Sequence, residues 1–143
     1  MTQQRWLEVL SSAECHARLA TGKLGRVALS IGALPVILPV LYLSHDGSIW
    51  FFAEEGTKLN AAVINAVVAF EVDHLDDTGG WSVLVIGQCN EELDPDVVSS
   101  LRSAGLVAGA PGRRDHLVRI PVHHISGRSF SVSHRSAGDA GYA

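Results

Sequence analysis

The stretch Ser48-Ile49-Trp50-Phe51-Phe52-Ala53-Glu54-Glu55-Gly56-Thr57-Lys58-Leu59-Asn60 changes its period in the middle. Its first half is an apolar and aromatic run launched by the turn residues His45-Asp46-Gly47, the pattern of a strand that follows a hairpin. Its second half begins at Thr57, a good N-cap, and sets Leu59, Ala62 and Val63 on one helical face. Gly56 stands at the change, where a residue without Cβ takes backbone angles closed to others. A strand that breaks at glycine and resumes as a helix leaves the first helical N–H groups unpaired. Together with the Thr57 hydroxyl and the Lys58 ammonium they form a seat for a phosphate. The same triplet also serves as an ordinary helix start with a solvated lysine. Glu54 and Glu55 would repel an anion if they turned inward. Both readings stand until the rest of the chain is read.

Length and composition narrow the choices. The 143 residues fit one domain with its own apolar core, and the apolar fraction of 47% is that of a globular protein. A formal charge of −4 and a pI near 5.9 argue against a nucleic-acid partner, which calls for a basic face. No Lys/Arg run suits an anionic membrane surface, and every apolar run is broken before membrane-spanning length. The two cysteines, Cys15 and Cys89, have no Cys-x-x-Cys partner, which removes zinc-ribbon and thioredoxin readings. Residues 1–8 lack the apolar core of a signal peptide, so the expected compartment is the cytoplasm.

In chain order, residues 1–10 read as a lead-in that packs by Trp6 and Leu7. Ser11 and Glu14 have the spacing of a capping box, and the helix they open stops at Gly22, read as a C-terminal glycine. Strands are predicted over 24–31, 36–44, 48–53, 67–72, 81–93, 114–121 and 125–132. Pro39 interrupts the second, which points to an edge, a bulge or a ligand-facing stretch. Residues 73–80 read as a polar loop with a Gly-Gly hinge. Asp94-Pro95-Asp96 starts a further helix that ends near Gly105. Residues 108–112 are a small-residue loop, and 133–143 read as a disordered tail behind a single domain spanning 1–132. About seven strands with three short helices predict a mainly β (α+β) fold. Sequential hairpins make it an antiparallel sheet closed, or nearly closed, into a barrel.

Catalytic signatures are sparse. No nucleophile elbow, zinc-protease helix or P-loop is present, so enzymatic chemistry here calls for a bound cofactor. His74 with Asp73, Asp76 and Asp77 lacks the spacing of a metal set, and no metal is expected. His123 and His124 are adjacent and point opposite ways on an extended chain; one of them as a haem ligand is the weaker alternative. His116 reads as a solvated or hydrogen-bonded strand residue. Trp81-Ser82-Val83 opens a long strand after Gly79-Gly80. Trp81 is read either as a core anchor or, with the Ser82 hydroxyl, as the border of a planar ring system.

Five blocks in order resemble one family. They are Gly25-Arg26-Val27-Ala28, Pro35-Val36-Ile37-Leu38-Pro39-Val40, Gly56-Thr57-Lys58-Leu59, Val68-Ala69-Phe70-Glu71-Val72-Asp73 and Gly80-Trp81-Ser82-Val83-Leu84-Val85-Ile86-Gly87. Together with Arg119-Ile120 and Ile125-Ser126-Gly127-Arg128 they resemble the pyridoxamine 5′-phosphate oxidase-like, FMN-binding split-barrel proteins, nearest the small actinobacterial and nitroimidazole-resistance-like members. The resemblance covers about residues 11 to 130. It implies an antiparallel split β-barrel with short peripheral helices, dimerised, with a flavin at each of two grooves between subunits. It implies that Thr57 and Lys58 hold the phosphate, with Arg26 a looser match. Ala53 and Glu55 would lie along the cofactor, Pro39 and Val40 would present backbone to the ring, and Trp81, Ser82 and Val83 would flank it. Arg119 and Arg128 are candidates for contribution by the second subunit. The implied activity is hydride transfer by FMN to a small-molecule substrate. A deazaflavin-dependent reductase and a non-catalytic flavin or haem carrier are the alternatives. The C-terminal substrate-binding pattern of true pyridoxamine-phosphate oxidases is not found here.

Overall fold

The computed structural model describes residues 7–107 and 114–132. Trp6, the loop expected over 108–112 and the tail expected over 133–143 lie outside the described residues. The elements are β1 (Leu7–Val9), α1 (Ser12–Thr21), β2 (Leu24–Ile31), β3 (Leu34–His45), β4 (Ser48–Glu54), α2 (Lys58–Val63), β5 (Val67–Leu75), β6 (Gly79–Gln88), β7 (Asn90–Glu92), α3 (Pro95–Ser103), β8 (Asp115–Pro121) and β9 (His124–Ser131). Among the described residues the strands run β1-β9-β6-β5-β2-β3-β4-β8-β7, each pair antiparallel. The sheet curls until β6 meets β8, where Gly87 lies against Ile120 and Pro121. This is the split-barrel fold, mainly β with three short helices.

One strand serves both halves of the barrel. β3 pairs with β2 from Leu34 to Leu41 and with β4 only from Tyr42 to His45. Among the described residues its second edge has no ladder partner from Leu41 back toward Leu34, because β4 turns away to pair with β8 along its whole length. β4 itself is buried on both faces, which explains its unbroken apolar run. Ile49, Phe51 and Ala53 enter the main core, with Val27, Phe70, Val83 and Val85. Trp50 packs on the other face with Leu101, Leu106 and Leu117, and Phe52 lies against the same cluster. The Trp50 Nε1–H donates to the His45 carbonyl at 3.1 Å, so its polar edge is satisfied.

Local signals held closely at α1. Ser11 Oγ accepts from the Glu14 N–H at 3.1 Å, and Glu14 Oε1 accepts from the Ser11 N–H at 3.2 Å. Cys15 and Leu19, four apart, are both buried. Gly22 does end the helix, but in an extended conformation with φ −91° rather than a left-handed one. Its missing Cβ makes room for the Tyr42 hydroxyl, which donates to the Leu19 carbonyl at 2.6 Å.

Three expectations are corrected. Pro39 does not interrupt its strand, because the β2 ladder runs unbroken past it; the expected edge position does hold, since the opposite side of β3 has no partner there among the described residues. Residues 73–80 are not a loose loop with a hinge. β5 reaches Leu75, β6 begins at Gly79, and the Asp76 carboxylate ties the turn together. It accepts from Thr78 N at 2.9 Å, Thr78 Oγ1 at 2.7 Å and Gly79 N at 3.1 Å. Gly79 and Gly80 are glycines because the Phe130 and His74 carbonyls press on the places a Cβ would fill. The fifth strand is two strands. At buried Cys89 the chain leaves β5 and crosses to β8, pinned by Cys89 N–H to the Ala66 carbonyl and Asn65 N–H to the Cys89 carbonyl, both 2.9 Å.

The hydrogen bonds from Thr78 hold the Asp76 carboxyl down to about 2. A depressed carboxyl stabilises the fold above its unfolded value near 4, and that contribution is lost as pH falls toward 2. Asp76→Ala should therefore lower the thermal midpoint at neutral pH. The gap from the wild-type melting curve should narrow across that acid window.

Candidate functional site

The parting of β3 from β4 opens a cleft of about 450 Å³. Its walls are Leu38, Pro39, Val40 and Leu41 from β3, Phe52 and Glu54 from β4, and Thr57, Lys58 and Leu59 from the start of α2, with Val107 and Asp115. The cleft is thus a largely apolar slot along a strand edge, with Lys58 at one end and the carboxylates Glu54 and Asp115 also on its walls. Such a shape suits a flat apolar ring joined to an anion.

Strand parity says which backbone groups face it. Tyr42 N–H donates to the Lys23 carbonyl at 2.9 Å, so even-numbered residues of β3 turn their polar groups toward β2. Odd-numbered residues face the other way. Pro35 and Pro39 therefore direct carbonyls, but no N–H, to the open edge. Ile37 and Leu41 direct N–H groups there, and Leu41 is the first donor beyond the last β3–β4 pair, Tyr42 with Phe51. This corrects the expectation for Val40. Its backbone is engaged with β2 and its side chain belongs to the main core, so it borders the cleft without offering a backbone donor there. The Leu41 N–H was missed in the sequence, where only the proline drew notice; alternation counted from Pro39 would have found it.

The junction itself is built as expected, with one difference. Gly56 takes φ +82°, and Thr57 is the N-cap of α2, its hydroxyl accepting from Asn60 N at 3.1 Å. That hydroxyl also donates to the Glu54 carbonyl at 2.6 Å. Its proton is committed to the turn, so Thr57 shapes the seat instead of donating to an anion. The first helical bond runs from Ala61 N to the Thr57 carbonyl, which leaves the Lys58 and Leu59 N–H groups ahead of the ladder.

The other expected residues lie elsewhere in the chain. Ala53 faces the core, and the neighbouring Glu55 is exposed on the turn, turned toward His116 at 3.6 Å. Arg26 is the register partner of Pro39, yet its guanidinium bonds Glu71 at 3.2 Å and Asp73 at 3.3 Å across β5. Burial and the neighbouring Asp73 raise the Glu71 carboxyl above its ordinary value. Arg26 is thus spent on a carboxylate pair on the outer sheet face and does not reach the seat. Trp81, Ser82 and Val83 sit on β6, separated from β3 by β5 and β2. Three strand spacings amount to about 14 Å. Val83 is a core residue with its backbone laddered on both sides, and Trp81 lies under the Arg18 guanidinium at 5.7 Å. Within one chain, then, Pro39, Val40, Thr57 and Lys58 meet at the cleft, and the β6 triplet does not join them. Arg119 is held by Ser48 Oγ at 2.9 Å and lies over the Trp50 ring. Among the described residues no group of three or more His, Cys, Asp or Glu is placed to hold a metal. No described helix is long and apolar enough to cross a membrane.

A family model described as pyridoxamine 5′-phosphate oxidase matches residues 11–129. The chain is 37% identical over 97 residues to the protein Rv0080 of Mycobacterium tuberculosis, covering 63% of this chain and 64% of that one. It therefore spans less than two thirds of that relative's length. Among solved structures, the FAD binding protein from Mycobacterium smegmatis superposes with a TM-score of 0.80 at 32% identity, covering 88% of this chain and 100% of that chain. An FAD-binding protein from Mesorhizobium loti superposes with a TM-score of 0.66 at 26% identity, covering 86% of this chain and 97% of that chain.

The capping role of Thr57 is open to a direct check. Thr57→Ala should cost about 1 kcal/mol of stability in urea unfolding, the typical loss of a cap, and Thr57→Ser should restore most of it.

Proposed function

The chain belongs to the pyridoxamine 5′-phosphate oxidase family, and from that premise we propose that it is a flavin-binding oxidoreductase that works as a homodimer. The observation that carries the reading is the cleft at the β3–β4 divergence, where an apolar strand edge ends at Lys58 and the first turn of α2. The flavin, when bound, supplies a ring that accepts a hydride and passes it to a small-molecule substrate. Leu38, Val40 and Phe52 would exclude water from the ring, and Lys58 with the Lys58 and Leu59 N–H groups would hold a phosphate. The Ile37 and Leu41 N–H groups would face its polar edge and stabilise negative charge there. FAD, which the Mycobacterium smegmatis relative binds, is favoured over FMN. Two buried thiols, Cys15 and Cys89, agree with a reducing compartment such as the cytoplasm.

A second copy is proposed because one chain cannot bring Ser82 and Trp81 to a ring lodged beside Pro39. The outer face of the β6-β5-β2-β3 sheet suits such a copy. Register aligns Ile86, Ala69, Ala28 and Ile37 in one row across it, and Ile37 is 68% and Ile86 41% exposed. The Arg26–Glu71–Asp73 cluster lies in the next rows. Apolar surface of this extent, centred on a satisfied charge cluster, is what an interface between copies covers.

Titrating flavin into purified protein, followed by fluorescence, tests the cofactor. Visible absorbance separates flavin from haem, and reduction by a nicotinamide cofactor separates an enzyme from a carrier. Lys58→Ala should weaken FAD binding by about 1.5 kcal/mol, roughly tenfold, the lower end for a charged hydrogen bond because Lys58 is exposed. Unchanged affinity would remove Lys58 from the seat. The double change Ile37→Asp and Ile86→Asp should convert a sedimenting dimer to a monomer and lose the flavin with it. A wild-type monomer carrying flavin would overturn the interface.

A further inference from the structure

His116 on β8 is the one histidine among the described residues whose two ring nitrogens both face carboxylates. Its Nδ1 is 2.8 Å from Glu91 Oε2 on β7, and its Nε2 is 3.6 Å from Glu55 Oε1 at the end of β4. The Nε2 atom is sealed from water and makes no hydrogen bond. A neutral ring fits this setting badly. If Nδ1 carries the proton to Glu91, Nε2 presents a lone pair to a second carboxylate with no solvent to satisfy it. Adding the second proton turns that contact from repulsion to attraction.

The position matters for the cleft. Glu55 is followed directly by Gly56, Thr57 and Lys58, and its own N–H donates to the Arg114 carbonyl at 2.9 Å. The turn that delivers Lys58 is therefore tied by backbone to the residue that leads into β8, and it sets the Glu55 carboxylate beside His116 of β8. We propose that His116, as an imidazolium between Glu91 and Glu55, is the positioning residue that fixes the β4–α2 turn and makes affinity for an anion at Lys58 depend on pH. This rests on the reading of the cleft as a flavin phosphate site.

Besides Glu91 and Glu55, a hollow of about 440 Å³ beside His116 is lined by the acids Glu92 of β7 and Asp115 of β8, which favour the imidazolium, and by Arg102 of α3, which opposes it. The hydrogen bond that Glu91 accepts from the ring raises the His116 pKa against the opposing effect of burial. A raised histidine contributes its stabilisation fully below the unfolded value near 6.5 and loses it as pH rises through the folded value. Deprotonation both frees Glu55 and removes one positive charge from the neighbourhood of Lys58, so anion affinity falls with rising pH.

FAD is the right probe because its diphosphate has no ionisation in this range, whereas a phosphate monoester titrates near 6. FAD titrations from about pH 6 to about pH 9 should show wild-type affinity falling about threefold to tenfold, the effect of one partly screened charge. His116→Gln, which keeps neutral donors, should give a flat profile at the weak limit, matching wild type only at the alkaline end. Glu55→Gln should also flatten the profile, and should lower the imidazole midpoint measured by NMR on protein without cofactor. Parallel profiles in wild type and His116→Gln, or a midpoint unmoved by Glu55→Gln, would overturn the proposal. Should wild type bind no FAD at any pH, the flavin reading fails by itself, and the midpoint in Glu55→Gln still decides the clamp.

Discussion

A β-strand has two edges, and β3 cannot keep both of its edges paired for its whole length. Its β2 side is laddered from Leu34 to Leu41, while its β4 side is laddered only near the hairpin, from Tyr42 to His45. β4 is drawn away by two separate apolar clusters, one on each face, and by its full pairing with β8. Burial of an aromatic side chain is worth roughly 1.5–3 kcal/mol, so Trp50, Phe51 and Phe52 together outweigh the few ladder bonds given up with β3. The gap left behind is the cleft. Its existence follows from where the apolar surface goes, not from any residue that lines it.

Much of the architecture was legible because it is written locally. The Ser11–Glu14 box, the Asp94-Pro95 start and the Gly56-Thr57 junction are each set by neighbours within a few residues, and each appears where the sequence puts it. Alternation in 24–31 gave β2 its exact bounds. What local pattern could not supply was contact between distant segments. Nothing near Cys89 announces that the strand changes sheets there, because the cause is two bonds to Asn65 and Ala66. The tight turn at Asp76 was hidden because Asp, Thr and Gly suit loose loops and three-bond turns alike. Residues of the candidate site divide in the same way. The cleft members Pro39, Val40, Thr57 and Lys58 come from β3 and from the start of α2, each flanked by a clear local signal, and could be grouped. The partners of Arg26 lie on the neighbouring strand β5 and that of Trp81 on α1, and a linear reading gives no sign that Glu71, Asp73 and Arg18 take them up.

The cleft is economical in charge. Arg26 is engaged by acids of β5, Arg119 by Ser48 and Trp50, and the Thr57 proton by a carbonyl of its own turn. Lys58 and two backbone donors of α2 remain to meet an anion, with strand-edge N–H groups of β3 spaced along the slot. Backbone donors are fixed by the fold and lose no rotamer freedom on binding, so a modest side-chain complement is sufficient to define an orientation.

The half-open strand brings a hazard that the chain has answered. A bare β edge is a template on which another extended segment can add, and the outcome is runaway association. Pro35 and Pro39 strip the donors from two of the four outward-facing positions between Leu34 and Leu41, so an incoming segment would find every other N–H donor missing. The slot stays receptive to a small heterocycle and closed to a stray polypeptide. Two rings of one residue type thus act as a gatekeeper for solubility.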